Sequence, residues 1–127
     1  MSLHTVSFRL PAGESLSDPI DCTGYDAAIR LIMPDEWTGG APVTFQLSPD
    51  NTTYHNLYHV IPDKMITYEV TLPRPVPGSV LTFPPGMGAY PQWVKVRSGT
   101  ASVPVMQEAD RTFTLVLEFA DTTSGAT

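Results

Sequence analysis

The chain reads as an all-β protein, an antiparallel β-sandwich of jelly-roll-like build with roughly eight or nine short strands. Three observations predict this. Thirteen prolines and nine glycines interrupt its 127 residues, so the longest proline-free interiors are strand-length or slightly more and leave little room for helices. Between the interruptions apolar residues recur with period two, the pattern of a strand with one face in a core. The runs also come at the short, even spacing of sandwiches and barrels.

In chain order, Val6, Phe8 and Leu10 alternate with Thr5, Ser7 and Arg9. Weaker strand candidates follow at 15–21 and 27–33. Gly39-Gly40 after Trp37 marks a tight turn. Val43, Phe45 and Leu47 then alternate with Thr44, Gln46 and Ser48, and Ser48-Pro49-Asp50-Asn51 reads as a hairpin connection to the candidate strand 54–60. Ile66, Tyr68, Val70 and Leu72 alternate with Thr67, Glu69 and Thr71, which predicts one strand with these four residues in the core. A further candidate at 79–83 precedes a surface loop at 84–88. Val94 and Val96 alternate with Lys95 and Arg97, and Phe113, Leu115, Leu117 and Phe119 with Thr112, Thr114, Val116 and Glu118. Between these two, 105–111 has room for a short turn of helix. No repeat or domain boundary interrupts the pattern: one sandwich domain is expected over 1–120, with 121–127, small and polar, as a flexible tail.

The net charge is −6 and only seven residues are basic, scattered from Arg9 to Arg111. Nucleic acid and anionic membrane surfaces both require clustered Lys and Arg, so neither is an expected partner. The longest apolar stretches are strand-sized, and Arg30 interrupts 27–33, so no membrane-spanning helix is predicted. The N-terminus MSLHTVSFRL lacks the basic and apolar regions of a signal peptide, and synthesis in the cytoplasm is expected.

Few residues form patterns that carry chemistry. Cys22 is the single cysteine, read as a small buried hydrophobe with no cationic neighbour to activate it. Asn51-Thr52-Thr53 matches a glycosylation sequon but also suits a turn. His55 and His59, four apart with Asp50 and Asp63 nearby, could share a face toward a metal, or could sit on a solvated strand. No nucleophile elbow or phosphate-binding glycine loop occurs. Asp35 and Glu36 are adjacent and would point apart on a strand, and Glu108 and Asp110 read as a surface pair. No catalytic, cofactor or metal residue is therefore assigned, and no enzymatic activity is expected.

The aromatic residues are the candidates for contact. Trp37 lies in a loop, where it either plugs one end of the sandwich or anchors a partner. Tyr54 and Tyr58 lie near the hairpin, and Tyr90 and Trp93 bracket Pro91. Trp93 fits the start of a core strand, which leaves Trp37, Tyr54, Tyr58 and Tyr90 as candidate interface residues.

Two stretches, IRLIMPDEWTGGAPVTFQLSPDNTTYHNLY from Ile29 to Tyr58 and WVKVRSGTASVPVMQEADRTFTLVL from Trp93 to Leu117, cover somewhat under half the chain. Together they resemble a group of small proteins encoded among the structural genes of tailed bacteriophages and prophages. The first stretch is also similar to discoidin-type galactose-binding jelly rolls, although none of their ligand residues can be matched here. The phage resemblance implies a virion protein, most simply a capsid decoration (cement) protein on the major capsid protein. It also implies a homo-oligomer, with a trimer favoured. The alternative it implies is a carbohydrate- or receptor-binding module of a head fibre or tail.

Overall fold

The computed structural model describes residues 2–83 and 92–119. The alternating runs at 5–10, 43–48, 94–97 and 112–119 lie in strands there, because burying one face of each removes its apolar side chains from water. The strands are β1 (Ser2–Leu10), β2 (Ile20–Asp21), β3 (Ala27–Ile32), β4 (Val43–Ser48), β5 (His55–Asn56), β6 (Tyr58–Ile61), β7 (Ile66–Glu69), β8 (Val80–Thr82), β9 (Trp93–Ser98) and β10 (Arg111–Phe119). Two four-stranded sheets, ordered β1-β10-β3-β8 and β2-β9-β4-β5, form the body, and β6-β7 stand apart as a two-stranded ribbon.

With β6 and β7 set aside, the antiparallel pairing is nested. β1 pairs with β10, β2 with β9, β3 with β8 and β4 with β5. This is one long hairpin whose tip is the β4–β5 turn, rolled so that β10 also bonds β3 and β9 also bonds β4. Such a rolled hairpin is the jelly roll, with successive strands crossing between its two sheets.

The core lies between the sheets. Leu10, Leu31, Val43, Val96, Phe113, Leu115 and Leu117 are fully enclosed, each contributing about 1.5–3 kcal/mol by leaving water. Phe8 stacks on Phe113 with ring centroids 5.3 Å apart.

At the β4–β5 tip, Asp50 Oδ1 accepts the backbone N–H groups of Thr52 (2.9 Å) and Thr53 (3.1 Å) and pairs with Ser48 Oγ (3.0 Å). These donors hold the Asp50 carboxyl below its usual pKa, the Thr52 amide most strongly. The expected hairpin connection is thus an Asx-type turn, and Asn51 of the sequon takes a left-handed conformation with φ 60°.

Four expectations need correction. Residues 105–111 contain no helical turn. The backbone there is held from outside, by Val105 N–H to the Ser98 carbonyl and Gln107 N–H to that of Glu14. The single 3₁₀ turns lie at Thr38–Gly40 and Pro62–Lys64 instead. The candidate strand 15–21 narrows to Ile20–Asp21, because Pro19 has no N–H to offer a ladder. The candidate strand 54–60 splits at Leu57, whose N–H turns back to the Phe45 carbonyl. The run from Ile66 to Leu72 also divides. Val70 and Leu72 are buried, Leu72 bridging to Val43, whereas Ile66 and Tyr68 are exposed on β7. The split at Leu57 raises the strand count among the described residues to ten.

Candidate interaction surface

β9 places Val94 and Val96 in the core and Lys95 and Arg97 on the outer face of their sheet, where Arg97 lies opposite Thr44, and Lys95 opposite Gln46, on β4. Arg97 is nonetheless only 5% exposed. Its Nε donates to Thr44 Oγ1 (3.0 Å), its Nη1 to Asn56 Oδ1 (2.9 Å) and its Nη2 to Glu69 Oε2 (2.6 Å). The Ala101 N–H donates to both Glu69 oxygens at 3.1 Å. Glu69 is the last residue of β7, so this ion pair clamps the base of the β6–β7 ribbon onto the body. Leu57 reinforces the clamp, its carbonyl accepting the Val70 N–H at 2.9 Å.

Beyond that base, β6 and β7 pack on each other and make at most marginal contact with any other strand. The register pairs Tyr58 with Glu69, His59 with Tyr68, Val60 with Thr67 and Ile61 with Ile66. Residues directly opposite share a face, so one face carries Tyr58, Val60, Thr67 and Glu69, and the other His59, Ile61, Ile66 and Tyr68. The turn runs through Pro62–Lys64 to Met65, which takes a left-handed φ of 54°. Exposure is high on both faces and at the tip: Tyr58 50%, Val60 57%, Met65 89%, Ile66 47% and Tyr68 41%. Soluble monomers rarely concentrate apolar side chains in this way, and such patches mark interaction sites. Among the described residues, each strand of the arm also has one edge with no strand beside it, the kind of edge that offers backbone donors and acceptors for pairing.

Of the three aromatic candidates among the described residues, only Tyr58 is placed to meet a partner through a free face. Trp37 is buried: its Nε1–H donates to the Ala41 carbonyl at 2.7 Å and its ring meets Phe113 edge-on at 5.3 Å. It plugs the sandwich end, and no indole face is available to a partner. Tyr54 is half-buried and engaged within the chain. Lys95 Nζ sits 4.3 Å above its ring, and its hydroxyl donates to Asn51 Oδ1 at 2.5 Å. Burial, and secondarily the Asp50 charge, raise its phenol pKa. Tyr90 lies outside the described residues, as does the loop 84–88.

The groups with chemical potential are also accounted for. Cys22 is enclosed, and burial, with a smaller push from the Asp21 charge, raises its thiol pKa to about 12. His59 packs against Tyr68 with ring centroids 5.3 Å apart, and among the described residues no three His, Cys, Asp or Glu side chains gather as a metal site would require. Asp35, Glu36, Asp110, Arg111, Thr112 and Pro34 line a shallow cleft of about 390 Å³. Two of its three carboxylates face structural partners: Asp110 accepts the Ala12 N–H (2.8 Å) and meets Arg9 (3.5 Å), and Glu36 lies 3.6 Å from Arg111.

The arm went unread in the sequence because Ile66 to Leu72 alternates as one strand. The available signal was the short Pro62-Asp63-Lys64-Met65 segment between two alternating runs, the spacing of a hairpin.

No protein-family model matches the chain, and no curated protein matches it in sequence. Among solved structures, the SPBc2 prophage-derived protein YomS is similar with a TM-score of 0.50 and 12% identity, over 92% of this chain and 95% of that chain. A likeness at that identity is one of fold.

Proposed function

We propose that this chain is a non-catalytic structural protein of a bacteriophage particle, a capsid decoration protein that attaches to neighbouring virion proteins through the β6–β7 arm. The observation that carries this reading is the arm itself: an apolar ribbon, exposed on both faces and clamped at its base by the Arg97–Glu69 pair. The chain has few charges, 16% of its residues, which suits a plate that docks by shape and hydrogen bonding. Two further supports are the phage-like cadence of Ile29–Tyr58 and Trp93–Leu117 and the fold shared with a prophage-derived protein. The chain would be made in the host cytoplasm and end in the virion, with the major capsid protein as its main partner.

A carbohydrate-binding reading needs an open aromatic platform. Trp37 is buried, and Tyr58 and Tyr68 lie on opposite faces of the arm, so no observation favours it over the structural one. The test is to incubate the purified chain with empty heads lacking it and to sediment them. Binding that raises the thermal resistance of the heads, and that Val60→Ser with Ile66→Ser abolishes, is the expected result. Heads that sediment bare, or that bind the variant equally, overturn the proposal.

A further inference from the structure

The edges of the two body sheets are β1, β8, β2 and β5, and they are not alike. Natural sheets blunt an edge by keeping it short or by placing proline or charge on it, because an open edge invites pairing. β2 and β5 are two residues long and β8 is three, with Pro19 directly before β2. β1 is nine residues long, and from Ser2 to Phe8 it holds no proline, glycine, lysine, arginine, aspartate or glutamate. It pairs with β10 on one side, and among the described residues no strand lies on the other.

The direction of each backbone group on β1 follows from one contact. The Arg9 carbonyl accepts the Asp18 N–H at 2.8 Å, so Arg9 directs its backbone groups away from β10. The β1–β10 register runs without a bulge from Ser2 to Leu10. In a regular antiparallel strand both groups of a residue point to one side, and successive residues alternate. Ser7, Thr5 and Leu3 therefore face outward as well, and nothing among the described residues bonds their backbone there. Asp18 closes the edge at Arg9, which leaves an open stretch from Leu3 to Ser7 with Thr5 at its centre.

We infer that β1 is a second interaction surface and pairs antiparallel with β1 of a second copy, Thr5 facing Thr5 across a two-fold axis. This register uses every outward residue: Leu3 meets Ser7 of the other copy, Thr5 meets Thr5, and each pair exchanges two bonds. The side chains select the copy, because Thr opposite Thr and aromatic opposite β-branched are favourable cross-strand pairs. The first falls on the outer face. The second is His4 against Val6 on the core side, in the row whose Phe8 and Leu10 are buried. An edge pair of this length covers less than a standard interface, so the association is weak in free solution. It is isologous and closes in two copies, joining two four-stranded sheets into one, and its symmetry differs from that of the trimer implied by the phage resemblance. The β6–β7 arm is clamped to the other sheet, which leaves it available for the attachment proposed above.

Sedimentation equilibrium of the full chain, from micromolar to millimolar concentration, is expected to show the mass rising toward twice that of the monomer. Thr5→Pro removes an N–H that β10 does not use, and Thr5→Lys sets like charges face to face. Both should stay monomeric at the highest concentration while the melting temperature holds, whereas Val60→Ser with Ile66→Ser on the arm should associate as wild type does. Thr5→Cys should oxidise to a disulfide-linked dimer, because directly opposite Cα atoms lie about 5.5 Å apart, within bridging distance. Leu3→Cys should stay unlinked, since the two copies of residue 3 are offset by about 13 Å along the strands, and the native Cys22 is enclosed. A chain that is monomeric throughout overturns the inference. So does association that survives Thr5→Lys, that the arm variant abolishes, or in which Leu3→Cys bridges as fast as Thr5→Cys. Thr5→Lys that still binds heads shows the arm acting alone, so failure at β1 and failure at the arm are read separately.

Discussion

Glu69→Ala tests whether the arm is held as the structure shows. The change leaves the Arg97 guanidinium, 5% exposed, without its charged partner at 2.6 Å, and leaves the Ala101 N–H without an acceptor. Removing one member of a buried pair costs about 3–5 kcal/mol, because the remaining charge stays desolvated. Arg97 keeps Thr44 and Asn56 as neutral acceptors, which places the loss at the lower end, about 3 kcal/mol. For a domain of this length that is a fall in Tm of roughly 10 °C. Urea denaturation followed by circular dichroism measures the free energy directly. Glu69→Gln keeps an acceptor for both donors and should lose about half as much. Molar salt should leave the difference nearly unchanged, since a buried pair is weakly screened. Trypsin should also cut after Lys64 faster in Glu69→Ala, as the arm base loosens. A variant within about 0.5 kcal/mol of wild type, cut no faster, would show that the pair is solvated and the arm unlatched.

Three further outcomes follow from the body. Gly99→Ala puts a Cβ 2.4 Å from the Val103 carbonyl oxygen at φ +92°, whereas Gly13→Ala at φ +79° meets nothing within 4 Å. The second should lose only the left-handed penalty of about 1–2 kcal/mol and the first clearly more, as compared by urea melts. Trp37→Ala should cost about 3–5 kcal/mol by opening the core, and Trp37→Phe about 1–3 by leaving the Ala41 carbonyl without its donor; a stable variant that only loses binding would contradict the burial of Trp37. Cys22, with its pKa raised from 9.0 to about 12, keeps its proton in the native state where the unfolded thiol has lost it. Its contribution is full below pH 9 and declines toward pH 12 by up to about 1.4 kcal/mol per pH unit. Cys22→Ala should flatten that alkaline decline, and the native thiol should stay inert to alkylation at pH 8.

Period-two alternation located β1, β4, β9 and β10 because it records burial directly. Phe113, Leu115 and Leu117 are enclosed and Thr112 is exposed, as the pattern of β10 requires. The same rule misread β7, and the reason is physical. Alternation reports which residues share a face, not whether that face meets a core, so Ile66 and Tyr68 look identical to Val70 and Leu72 until the chain path is known. The clamp was invisible for a related reason. Arg97 and Glu69 are 28 residues apart, and each reads alone as a polar residue on a solvated strand face. Trp37 was ambiguous because loop position says nothing about depth. Its burial depends on Phe113, which arrives from the last strand.

The arm and its clamp are best explained together, because neither serves the body. The eight body strands pair in a complete nested set without β6 and β7. A two-stranded ribbon is at best marginally stable in water, and its exposed tyrosines, valine, isoleucine and methionine lower solubility. A buried ion pair is in turn a poor device for stability alone, since apolar packing of similar volume often does as well or better. What the Arg97–Glu69 pair supplies is direction. Arg97 offers its donors in a planar fork, and three acceptors on β4, β5 and β7 fix that fork at once. The base of the arm is thereby set relative to two strands of one body sheet, so the ordering entropy of the ribbon is met within the chain, before any partner arrives. A partner that finds the arm already oriented loses less freedom on docking, which is the advantage a protein assembled in many identical copies would draw from it.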